Sequence, residues 1–131
     1  MSTYVREKVL RIPMDKLNLH FTEEEMDDLG WSIEKRFEDI WGYGDIGKFQ
    51  LAPTETYFVD FVLDYEYDAS GKFGKTRALS DREKDKYRPM FQKVDPDVNM
   101  DFVRLVEFCW YNGCEAEAYY DETKDDFYDE V

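Results

Sequence analysis

The stretch ASGKFGKT, residues 69–76, carries the most familiar chemistry in the chain. It fits a relaxed phosphate-loop pattern, with Ala69 where the first glycine usually stands and Gly74, Lys75 and Thr76 closing it. In such a loop backbone N–H groups cradle phosphates, the lysine reaches the outer phosphates and the hydroxyl holds magnesium. The surroundings argue against that chemistry. The strand before it alternates with acids, whereas a phosphate-loop strand lies in a buried parallel sheet and reads as continuously apolar. No apolar helix starts at Thr76, and no alternating βα units follow. The segment reads as a flexible basic loop, and no nucleotide cofactor is expected.

Other reactive residues are sparse. Cys109 and Cys114 are the two cysteines and His20 the one histidine. Two cysteines without further nearby ligands read as small buried thiols rather than as a zinc site. One histidine without a serine or cysteine partner in a recognisable motif does not make a triad. The acids are too numerous for any pair to stand out as a general acid and base. DYEYDASG (64–71) and DETKDD (121–126) are rich in oxygen ligands but lack calcium-loop spacing. The expectation is no catalytic residue, no metal and no cofactor.

What the sequence offers in abundance is carboxylate. Thirty-one Asp and Glu against 17 Lys and Arg give a net charge of −14. Such a field repels nucleic acid and anionic membranes and attracts basic protein surfaces. Aromatics make up 18% of the 131 residues, too many for a disordered acidic chain, so a folded single domain over 1–131 is expected. No apolar run is long enough for a membrane span. Charges near the N-terminus argue against a secretory signal. Cytoplasmic residence is the expectation.

The charge is polarised. Residues 72–93 hold eight bases and three acids, a net of +5, so the remainder carries −19. Residues 114–131 alone hold eight acids and one base, interleaved with Tyr119, Tyr120, Phe127 and Tyr128.

The elements that must position these groups follow from periodicity. Residues 3–13 read as a strand ended by Pro13. Thr22 and Glu25 form a capping box, and Phe21 with Met26 a hydrophobic staple. Met26, Leu29, Ile33, Phe37 and Ile40 then make one apolar helical stripe, predicting a long helix over 22–41 that Gly42 stops. Residues 47–53 suggest a short strand. Residues 54–68 alternate between a core set (Tyr57, Val59, Phe61, Leu63, Tyr65, Tyr67) and a wet set that includes Asp60, Asp64, Glu66 and Asp68. Ser80 and Glu83 cap a short peripheral helix near 80–88, limited by Pro89. Asn112-Gly113 predicts a hairpin across 98–121. One of its faces (Val103, Leu105, Cys109) suits the long helix, and the other holds Phe102, Arg104, Val106, Phe108 and Trp110.

The resulting class is α+β. An antiparallel sheet of four or five strands has the long helix on one face, and an acidic tail begins near residue 121. Asp60, Asp64, Glu66, Asp68, Glu115 and Glu117 are expected to line one surface with Phe108, Trp110 and Tyr119. The tail adds Asp121, Glu122, Asp125, Asp126, Phe127, Tyr128, Asp129 and Glu130. Rings anchor and charges steer at protein interfaces. Outward carboxylates on a strand lie about 6.8 Å apart, and a duplex carries a charge about every 1.7 Å, so adjacent acidic strands approximate its potential. In composition the chain resembles acidic proteins that occupy nucleic-acid sites. The leading expectation is a non-enzymatic binding protein on the basic groove of a nuclease or similar enzyme, with no direct nucleic-acid or membrane binding. A general acidic interaction module and a small enzyme with an unrecognised site are the alternatives.

Overall fold

A computed structural model describes residues 4–53, 56–68, 75–111, 118–121 and 126–129. Five strands form one antiparallel sheet in the order β2–β3–β1–β5–β4. The first strand in sequence, β1 (Tyr4–Pro13), lies at its centre between β3 (Phe58–Asp68) and β5 (Arg104–Tyr111). The three-residue strands β2 (Phe49–Leu51) and β4 (Thr76–Ala78) form the edges, and short edges limit pairing with other chains. The class is the α+β arrangement the periodicity predicts.

The predicted helix over 22–41 is broken. It consists of α1 (Glu23–Asp27) and α2 (Leu29–Arg36). Asp28 separates them with φ −136° and ψ 72°, and its carboxylate accepts the Trp31 N–H at 3.2 Å, capping α2. The Ser32 hydroxyl donates to the carbonyls of both Glu25 and Asp28. Asp, Gly30 and Ser32 in succession are poor interior helix residues, two of them because their side chains compete for backbone groups. The helix ends at Arg36, ahead of Gly42, yet Phe37 and Ile40 still pack on the core with Leu29 and Ile33. Met26 is 53% exposed and leaves the stripe. Both capping boxes form as the sequence predicts.

Helix α3 (Asp81–Gln92) runs past Pro89 and is not peripheral. Proline inside a helix costs about 3 kcal/mol. Full burial of Phe91, packed edge-on against Phe61 with centroids 4.9 Å apart, contributes about 1.5–3 kcal/mol in return. Tyr87 and Met90 pack against the same core and add to it. The helices lie on the sheet face that carries Leu10, Ile12, Phe49, Val59, Phe61 and Val103. Val103 and Leu105 face them, as the alternation of β5 implies.

The opposite sheet face is also buried. Val5, Val9, Val62, Val106, Phe108 and Trp110 form a second apolar cluster there. The loop after α2 folds toward it. Tyr43 packs edge-on against Trp110 at 5.7 Å, and Gly44 donates its N–H to Gln50 at 2.7 Å. Gly44 has φ +75°, and a Cβ there would meet the Tyr65 ring at 2.7 Å, so only glycine fits.

Residues 118–121 and 126–129 pair as a separate antiparallel ribbon, β6 (Ala118–Asp121) with β7 (Asp126–Asp129). The predicted hairpin gives way to other pairings: β5 pairs with β1 and β4, and residues 118–121 pair with 126–129 instead of folding back on β5. Asn112-Gly113 lies outside the described residues.

Candidate interaction surface

Asp60 is fully buried. It faces Arg11 across the β1–β3 pair, and the guanidinium donates from Nε at 2.8 Å and Nη2 at 2.9 Å to the two carboxylate oxygens. Arg11 lies over the Phe108 ring at 4.8 Å and the Phe58 ring at 5.6 Å. Phe108 and Trp110, expected as surface anchors, are buried as well. The expected wet face of β3 is therefore an interior face at Asp60.

A bulge splits the rest of that face. Val9 pairs with Val62 and Lys8 with Asp64, so Leu63 is the extra residue. An extra residue reverses the in–out alternation beyond it. Tyr65 joins the face of Asp60 and Val62, while Asp64 and Glu66 turn to the other face, directly opposite Lys8 and Arg6. Both acids are exposed, but each faces a base. Unbroken alternation cannot reveal a bulge, and this one scatters the predicted array.

Between the two buried apolar valines of β1 sits Glu7, also fully buried. Its carboxylate accepts the Trp110 indole N–H at 2.6 Å and the Gln50 amide at 2.9 Å. Gln50 in turn accepts the Gly44 N–H. Burial, and next the charge of Asp60, push Glu7 up to about 7, against the opposing pull of its two donors and Arg11. Burial raises Tyr43 strongly and brings Tyr65 up to about 12, the charge of Glu7 adding to both. The network orders a buried face. Its signal in the sequence is that Glu7 and Arg11 fall on the same strand face as Val5 and Val9.

The exposed carboxylates lie elsewhere. Residues 22–46 hold nine acids and two bases. Glu23, Glu24, Asp27, Asp28, Glu34, Glu38, Asp39 and Asp45 are all exposed. Among them Trp31 is 59%, Ile46 59% and Tyr43 49% exposed. Trp31 shares an open cleft with Glu24, Glu25, Asp28, Ser32, Lys35 and Arg36. Arg36 is partly tied up, bound to Glu25 at 3.1 Å and stacked over Phe21 at 3.9 Å. Glu25 accepts the Thr22 N–H, which with Arg36 holds its carboxyl below the usual range. Sequence reasoning passed over Trp31, although it falls outside the apolar stripe and so had to face outward.

Of the other predicted site residues, Asp68, Tyr119, Asp121, Asp126, Phe127, Tyr128 and Asp129 lie in strands β3, β6 and β7. Tyr119 stands opposite Tyr128, Tyr120 opposite Phe127, and Asp121 opposite Asp126. Glu115, Glu117, Glu122, Asp125 and Glu130 lie outside the described residues, as do Cys114 and residues 69–74 of the basic loop. Thr76 opens an antiparallel edge strand and accepts the Arg104 Nε–H at 3.1 Å, so the phosphate-loop pattern leads into a strand and not directly into a helix. Cys109 is buried, and His20 sits exposed in the loop before α1. Among the described residues no cluster of His, Cys, Asp and Glu could hold a metal ion. No described helix is long and apolar enough to cross a membrane.

Comparison with protein-family models, curated proteins and solved structures finds no match.

Proposed function

We propose that the chain is a non-enzymatic binding protein whose acidic helical segment engages a basic protein surface. The observation that carries this reading is Trp31, 59% exposed in a cleft beside Glu24, Glu25 and Asp28. An indole so placed leaves a large apolar surface in water that a partner would cover, and tryptophan is among the residues enriched at interface hot spots. The carboxylates around it steer a basic partner at long range. Asp121, Asp126 and Asp129 add to the negative charge of the chain. A partner that carries a nucleic-acid groove supplies the densest basic surface, and it is the partner class this charge fits best. The cytoplasm is the matching compartment.

The test places a photoreactive residue at Trp31 and identifies what it crosslinks in cells that express the chain. The purified partner is then titrated with the natural chain and with Trp31→Ala. The reading requires a basic partner, a loss of affinity of tenfold or more in Trp31→Ala, and displacement of the chain by duplex DNA. A partner bound equally well by Trp31→Ala overturns the assignment of this surface. A partner insensitive to duplex DNA overturns the nucleic-acid groove and leaves a general basic interface.

A further inference from the structure

A groove of about 700 Å³ lies between the end of β1 and the start of α1. Met14, Leu19, Phe21, Met26, Leu29 and Tyr57 form its apolar wall. Met26 is 53% and Tyr57 74% exposed, so part of that wall meets water. Apolar surface gathered in one concavity marks a binding site, whereas single exposed residues do not. The rim on α1 is acidic. Residues 22–28 hold five acids and no base, and Glu23, Glu24 and Asp27 are exposed. At about 100° per residue, Glu23 and Asp27 stand between Met26 and Glu24 around the helix. Glu24 belongs to the Trp31 cleft. The short helix therefore walls both concavities, and Glu23 and Asp27 occupy the ridge that separates them.

We propose that this groove receives an amphipathic helix of the basic partner, with its apolar stripe against Met26 and Tyr57 and its lysines and arginines on Glu23 and Asp27. The inference rests on the proposed function and names the part of the partner that docks beside the Trp31 cleft. Charge selects the occupant. A second copy of the chain would bring another −14 to an acidic rim, and an anionic membrane is repelled in the same way. Lys16, the base in the described lining, sits over the Phe102 ring at 4.8 Å, while Asp15 beside it is exposed and adds to the rim. Topology selects the conformation. β1 and β3 reach the groove at Pro13 and Phe58, and each is paired on both sides, so no open strand edge is offered to an extended peptide. A helix in a groove needs only apolar contacts at spacings of three and four residues. Methionine suits such a contact because its unbranched side chain adapts to the shape laid on it.

The experiment titrates the full chain with three synthetic peptides of about five helical turns, using calorimetry and the carbon-13 methyl resonances of the methionines. One is an amphipathic leucine–lysine helix. One has the same composition scrambled so that no apolar stripe remains, and one carries glutamate in place of lysine. The amphipathic basic peptide should saturate, at least tenfold tighter than either control, with shifts at Met14 and Met26. Met26→Gln and Tyr57→Ser should each weaken it several-fold, with the melting temperature nearly unchanged at these exposed positions. Glu23→Gln with Asp27→Asn should weaken it and flatten its salt dependence. Trp31→Ala should leave its affinity within twofold, because the indole stands in the other cleft. A scrambled peptide that binds equally well overturns the groove, and an acidic helix that binds equally well overturns the basic occupant. Loss of binding in Trp31→Ala places the peptide in the other cleft and overturns the groove as well. Failure of the basic helix to saturate overturns the docking inference alone, since the crosslink at Trp31 tests the proposed function independently of it.

Discussion

The indole of Trp110 donates to the carboxylate of Glu7 across 103 positions of sequence, at 2.6 Å and out of reach of solvent. This contact joins β1 to β5 on the face away from the helices, and Gln50 extends it to β2 and to the loop at Gly44. The carboxyl is held at about 7, chiefly by burial and next by Asp60. Unfolded, it titrates near 4.5. Between those values the unfolded chain has released the proton and the folded chain keeps it. Stability from this group is therefore fully present below about 4.5 and is lost as pH rises through 7, by about 3 kcal/mol in order of magnitude. Chemical denaturation of the natural chain and Glu7→Gln at pH 5 and 7.5 checks it. The natural chain should lose stability relative to Glu7→Gln over that interval. A constant difference would show that Glu7 is already ionised at pH 5.

Arg11 and Asp60 form the other buried contact of this face. Removing one partner strands a charge in the interior, and Asp60→Asn should cost about 3–5 kcal/mol. Arg11→Met with Asp60→Leu removes both charges and should cost far less than the sum of the single changes. A double-mutant cycle by urea denaturation measures this, and additive losses would mean that the pair is not coupled.

The strands were legible because residues 4–13, 58–62 and 103–110 are dense in β-branched, apolar and aromatic residues, although the period of 4–13 is imperfect, and the shared face of Val103 and Leu105 follows from their spacing of two. The acidic face was not, for two physical reasons. The bulge at Leu63 reverses alternation without any glycine to announce it. Asp60 is indistinguishable from a surface acid until β1 places Arg11 opposite. The helix break was written in Asp28, Gly30 and Ser32, but the apolar stripe spans the break and masks it. Trp31 was visible as an off-stripe residue, and its significance depended on knowing that the helix surface, not the sheet, stays open.

The break itself is testable. Asp28 caps α2 through Trp31 N–H, so Asp28→Ala should cost about 1 kcal/mol, the usual value of an N-cap. Thr22→Ala should cost about the same at α1, whose capping box is complete. Thermal melts read both. If Asp28→Ala were stabilising, a continuous helix would be the preferred state once the capping side chain is gone.

The last prediction concerns the interleaved rings and acids of the C-terminal ribbon. In its register Tyr119 is paired with Tyr128, Tyr120 with Phe127, and Asp121 with Asp126. Aromatic pairs directly across strands contribute about 0.2–1 kcal/mol each, and opposed like charges take away a similar amount. A two-stranded ribbon is marginal by itself, so these pairs decide whether it forms. The expectation is that the rings keep the backbone paired and that the pairing fixes the spacing of the carboxylates. Tyr119→Ala with Tyr128→Ala should raise amide exchange in residues 118–129 by several-fold and leave the main sheet unaffected. Asp121→Asn with Asp126→Asn should slow exchange by relieving the repulsion, and the gain should shrink in high salt as the charges are screened. Exchange that ignores both pairs of changes would mean that the ribbon is held by the domain rather than by its own cross-strand pairs.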